Sequence, residues 1–119
     1  MAERRRILRS LSKSATTDET DGRDLRRASR GAAVVSIADA PVRLETRLRG
    51  TLRTVTLRPR GGVPALEADL YDGTASLTLV WLGRRRIAGI EPGRSLEIVG
   101  RIGVQDGDRI IYNPRYELR

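Results

Sequence analysis

From Val42 onward, apolar and polar residues alternate with a period of two. In VRLETRLRGTLRTVTLRP the apolar side chains and Gly50 fall at even positions 42, 44, 48, 50 and 52, then Val55 and Leu57 fall at odd ones, so the phase slips near Arg53 and Thr54. A one-residue slip inside a strand is what a β-bulge does, and it bends the strand enough to serve both sides of a closed barrel. RPRGGVP then breaks the run as a loop. In ALEADLY, Leu66, Ala68 and Leu70 share one face and Glu67, Asp69 and Tyr71 the other. Asp72-Gly73 signals a hairpin into a third strand, ASLTLVW, with Ala75, Leu77 and Leu79 inward.

The period changes at GRRRIAGI. Ile87 and Ile90 are three apart, which predicts one short helix with its apolar side against a barrel end, stopped by Glu91-Pro92-Gly93. SLEIVGRIGV reads as a fourth strand, QDGD as a tight turn, and RIIYNPRYEL as a fifth strand in which Pro114 must lie at an edge or a bulge. Upstream of Val42 no such order exists. Ile7, Leu8 and Leu11 share one side of a short helix ringed by Arg4, Arg5, Arg6, Arg9 and Lys13, but three apolar residues do not hold a helix alone. A polar stretch, ATTDETDG, a weak second helix from Asp24 and a short apolar strip, VVSIADAP, follow. Residues 1–33 are therefore expected to be a basic N-terminal arm, weakly helical or mobile, and residues 34–119 the folded domain.

Three strands, a short helix and two strands is the order of a mainly β, five-stranded Greek-key OB barrel, in which the helix plugs the barrel between strands three and four. The run from Leu48 to Leu118, with DG, WLG, PG, IVGRI and a closing YNPRYEL, resembles the OB-fold domains of the anticodon-binding type in aminoacyl-tRNA synthetases and the wedge type in RecG. It is similar also to small stand-alone OB-fold proteins of GC-rich bacteria that begin with a basic arm. The resemblance implies nucleic-acid binding and no activity beyond it.

Charge agrees with that direction. Lys and Arg total 23 against 15 Asp and Glu, net +8, and Lys13 is the single lysine. A GC-rich genome favours arginine codons, so the choice of Arg over Lys has a bland reading; the net excess is what asks for a polyanionic partner. Cysteine and histidine are absent, which removes disulfides, thiolate nucleophiles, zinc-thiolate sites and the commonest general base. Glu67 with Asp69, or Asp106 with Asp108, has the spacing to touch a divalent ion, but Asp-Gly turns need no metal. RGGVP precedes a strand rather than a helix, so it is no phosphate loop. No enzyme activity, metal or cofactor is expected. Nor is a membrane span, since no run approaches ~20 apolar residues, and a cytoplasmic protein is the default.

OB barrels hold single strands over the outer face of the second and third strands, edged by the loops joining strands one to two and four to five. Arg47, Arg49 and Arg53 make an outward row on the first strand, and Arg58 and Arg60 form a phosphate clamp on its loop; the plain alternative is a solvated face. Glu67 and Asp69 lie on the same expected face, where they repel phosphate, pair with Arg47, Arg49 or Arg53 across the ladder, or accept from cytosine amino groups. Tyr71 is either a stacking residue or a rim residue. Trp81 is in phase with Leu77 and Leu79, as a core residue would be, yet at its strand's end beside Arg84, Arg85 and Arg86 it is also placed to stack on a base. Tyr112 reads as core, and Asn113 and Pro114 as shaping the last strand's exit. Two functions follow: a non-enzymatic module for single-stranded DNA or RNA with little sequence preference, or a docking adaptor whose arm binds a partner protein.

Overall fold

The long first strand, β1 (Glu45–Leu57), is shared between two neighbours in a computed structural model that describes residues 33–119. Apart from Ala33, the expected arm lies outside the described residues. Glu45 to Thr51 runs antiparallel to β4 (Ser95–Arg101), and Thr51 to Leu57 antiparallel to β2 (Ala65–Tyr71). The β1–β2 register shifts between Leu52 and Thr54, where the alternation slips in sequence. A bulge adds a residue on one side of a ladder only, so the strand coils there and passes from one partner to the next. Gly50 lies at the crossing: a Cβ on it would stand 2.7 Å from the Tyr71 carbonyl oxygen.

From β2 the chain turns through Asp72 to Ala75 into β3 (Ser76–Leu82), its antiparallel neighbour. β3 also pairs, in parallel, with β6 (Asp108–Tyr112). β6 is joined to β5 (Gly103–Gln105) by Asp106 and Gly107, whose φ angles of 54° and 83° are those of a two-residue primed turn. β7 (Arg115–Leu118) closes on β4. The result is one seven-stranded sheet in the order β5-β6-β3-β2-β1-β4-β7. Ile102 alone separates β4 from β5, although they stand near opposite ends of that order, so the sheet curls back on itself. At the meeting of β4 with β6, a Cβ on Gly100 would lie 2.6 Å from Ile111 Cγ2, and only glycine lets those strands approach so closely.

The inner face is the one alternation predicts. Leu48, Leu52, Leu66, Leu70, Leu77, Leu79, Leu96 and Ile98 are buried in one cluster. The strip before Pro41 adds Ile37, fully buried. It is tied down by Val35 N–H to the Arg47 carbonyl (3.1 Å), Ile37 N–H to Asp72 Oδ2 (2.9 Å) and Ala38 N–H to Thr74 Oγ1 (3.1 Å).

Three expectations are corrected. Among the described residues there is no helix: residues 83–94 pass through short turns and bends joined by irregular backbone. Gly83, Gly89 and Gly93 each take a left-handed φ, 76°, 84° and 89°, which interrupts an α-helical ladder, yet Ile87 and Ile90 still bury their side chains as the helix would have. Seven strands replace five, because the expected fourth is interrupted at Ile102 and the expected fifth at Asn113 and Pro114. Asn113 has φ 51° and proline offers no N–H to a ladder. Finally, Val42 and Leu44 are exposed, since the strand begins only at Glu45. No helix of the described residues is long and apolar enough to cross a membrane.

Candidate functional site

Position on β1 decides what each arginine can do. Arg47 and Arg49 precede the hand-over at Thr51 and so lie beside β4, where both reach Glu97. Arg47 Nη2 is 2.6 Å from Glu97 Oε1 and Arg49 Nη2 2.7 Å from Oε2, with Arg119 as a third partner. Glu97 is 1% exposed. Burial opposes its charge, but the hydrogen bonds from Arg47, Arg49 and Arg119 prevail and hold the carboxyl at about 2 against an ordinary 4.5. The row expected along β1 is thus broken: its first two members serve a buried carboxylate on the β1–β4–β7 side.

Arg53 comes after the hand-over and lies beside β2. Its Nε and Nη2 each stand 2.8 Å from Asp69 Oδ2, and its guanidinium carbon sits 4.3 Å from the centre of the Tyr71 ring. A second such arrangement involves the loop after β1. Gly61 and Gly62 have φ of 56° and 80°, and Arg60 and Val63 exchange backbone hydrogen bonds of 2.8 and 3.0 Å, so the loop is a tight hairpin of its own. It places Arg60 Nε 2.8 Å from Glu67 Oε2, Nη1 2.8 Å from the Tyr112 hydroxyl, and the guanidinium over the Tyr112 ring at 5.6 Å. Tyr112 in turn donates to Gln105 Oε1 at 2.5 Å. Arg60 is held further above the ordinary arginine value, first by the Glu67 hydrogen bond. Arg58 remains 66% exposed, with Glu67 at 3.9 Å.

The remaining cations differ. Arg84, Arg85 and Arg86 have no hydrogen-bond or ion-pair partner among the described residues. Gly83 N–H donates to the Pro64 carbonyl at 2.7 Å, which sets this arginine run beside the 58–64 hairpin.

Trp81 is not a surface residue. It is 5% exposed, its Nε1 donates to the Pro114 carbonyl at 3.1 Å, and its ring meets Tyr116 edge-on at 5.9 Å. Alternation carries it inward with Leu79, and this chain has few other side chains large enough to fill that volume. Tyr112, expected in the core, is 41% exposed. Ile111 takes the interior position, and Ile110, next to it, packs against Ala65 and Val80 in a second small cluster. Asn113 does shape the exit: its Oδ1 accepts the Leu82 N–H at 2.9 Å. Glu97 and Gln105 escaped notice in the sequence because only the strand register brings them to their partners.

The structure therefore brings Arg53, Tyr71, Arg58 and Arg60 onto one side with Tyr112, sets Arg84 and Arg85 at its edge, and separates Arg47, Arg49 and Trp81 from it. No family model matches the sequence, and no curated protein matches it. Solved structures do match. The p204 HINb domain superposes with a TM-score of 0.60 at 16% identity, over 79% of this chain and 49% of that one, so this chain spans about half its length. The OB domain of Ta0387 from Thermoplasma acidophilum gives 0.58 at 15% identity, over 72% and 86%. The second OB-fold domain of replication protein A from Methanococcus maripaludis gives 0.52 at 13% identity, over 67% and 88%. At such identities the likeness is one of fold, and the chain carries an OB fold. The anticodon-binding, RecG-wedge and GC-rich bacterial affiliations have no sequence match behind them.

Proposed function

We propose that this OB fold is a non-enzymatic, cytoplasmic module that binds single-stranded or unpaired nucleic acid with little sequence preference, its sheet closing as a barrel in which β4 and β5 act as one bent strand. The observation that carries the reading is the run Arg84 to Arg86, which has no partner among the described residues, beside the 58–64 hairpin and at the edge of a face bearing Tyr71 and Tyr112. Guanidinium groups that no carboxylate of the described residues neutralises can replace the counterions of a phosphate backbone, and OB folds present strands to this face. The likeness to an OB-fold domain of replication protein A adds to it. Arg53 and Arg60, already matched by Asp69 and Glu67, contribute less charge; their role is to brace the tyrosines and to stack.

Fluorescence anisotropy of a labelled oligonucleotide from low to high salt tests this. Affinity should fall with a log–log slope of about −0.7 for each phosphate neutralised. Replacing Arg84, Arg85 and Arg86 by alanine should flatten that slope by up to ~2, and a salt-independent profile in the native chain would reject the mechanism. A second reading, a protein-docking adaptor, draws on Leu57, Val63 and Leu82, which remain 49%, 44% and 40% exposed at the same end. The arm it would use lies outside the described residues. Capture of a partner protein together with no oligonucleotide binding at any salt would favour it.

A further inference from the structure

Where β4 passes into β5, a groove of about 460 Å³ opens against β6; its walls include Arg101, Gly103, Gln105, Ile110, Tyr112 and Asn113. Its size is that of a small-ligand site. Glycine makes the floor: a Cβ on Gly103 would meet only the Ile110 carbonyl, at 3.9 Å, so the space stands open for want of a side chain. The walls are chemically specific. Tyr112 brings a half-open aromatic ring, held by Arg60 and Gln105. Asn113 spends its Oδ1 on Leu82, and Gln105 its Oε1 on Tyr112, so the side-chain oxygens are occupied while neither NH₂ group has an acceptor among the described residues. Arg101 gives one N–H to the Arg43 carbonyl at 3.2 Å and has no ion pair among the described residues.

An aromatic wall, two amide donors and a cation at the mouth are what a flat, acceptor-rich heterocycle carrying a phosphate requires. The structure assigns this groove to one nucleobase and its adjoining phosphate, with Tyr112 stacking on the base, Gln105 and Asn113 donating to its edge, and Arg101 facing the phosphate. The assignment rests on the nucleic-acid reading above and adds to it a place where a base, rather than the backbone, is held. The same chemistry is offered by an unpaired base in a strand and by a free nucleotide.

Gly103→Val is the test, because Gly103 has no left-handed φ to strain and valine adds three carbons to the floor of the groove while leaving every arginine in the sequence. Tyr112→Ala, at an exposed position, is the second variant. Three probes are titrated: a base-bearing oligonucleotide, an abasic strand of equal length, and mixed nucleoside monophosphates. The native chain should hold the base-bearing strand roughly fivefold or more tighter than the abasic one. Gly103→Val should bring the two to the same affinity and leave abasic binding unchanged. Mononucleotide binding that Gly103→Val abolishes, without a base-dependent gain for strands, would identify the free nucleotide as occupant. Equal affinity of the native chain for both strands, with no mononucleotide bound, overturns the base site while leaving the backbone reading intact. Failure of all three probes at low salt overturns both.

Discussion

Glu97 shows how far one residue's chemistry depends on its setting. Sequence alternation puts it outside the sheet, between Leu96 and Ile98, yet three guanidinium groups close over it. Asp72 is a second carboxyl in such a state. Burial pushes its pKa up, but the Thr74 hydroxyl and the backbone N–H groups of Ile37, Thr74 and Ala75 outweigh that and hold it at about 2, against an ordinary 3.8. Both groups bind protons more weakly folded than unfolded, so the unfolded chain takes up protons first as pH falls. Their stabilisation is present above about pH 4.5 and lost progressively down to about pH 2. Thermal unfolding followed by circular dichroism should show a flat midpoint from pH 7 to 5 and a steep fall below. Glu97→Gln should lower stability at pH 7 by a few kcal/mol, on the order of its linkage contribution, and shallow the acid slope without abolishing it. Trp81 gives the complementary case of a residue the fold removes from solvent. Its emission should be blue-shifted and unchanged on adding oligonucleotide, and a quench that tracks binding would contradict its placement.

Among the elements, β1 was the most legible. The change of phase near Arg53 and Thr54 is visible in residue order, and the register shift between Leu52 and Thr54 is its structural form. Gly50→Ala should destabilise by ~1–3 kcal/mol, because the obstructing atom is the Tyr71 backbone oxygen and cannot rotate away. Gly103→Ala, with open space at its Cβ, should be close to neutral, and urea midpoints at constant slope compare the two. The segment from Gly83 to Arg94 was the least legible. Spacing reports that Ile87 and Ile90 share a side, which a helix and a string of glycine turns satisfy equally well, and both side chains are indeed buried. Periodicity over so few residues identifies what is inside, not the backbone that puts it there.

At the scale of the molecule, the net +8 tells less than its pairing. Arg47, Arg49 and Arg119 share Glu97, Arg53 has Asp69, and Arg60 has Glu67, so among the described residues the unneutralised charge near the proposed face rests on Arg84 to Arg86, on Arg101 and, less so, on Arg58. An electrostatic footprint is a property of unneutralised charge, and counting arginines along a strand overstates it. Residue order by itself determined the alternation, the bulge, the hairpin turns and the OB fold, because these depend on local backbone preference and on which side chains avoid water. Only the tertiary structure decided which arginines meet a carboxylate, that Tyr112 is outside, and that Gly103 leaves a groove. Each of those is set by strand register between residues far apart in sequence, and a local pattern carries no information about the residue that will stand opposite.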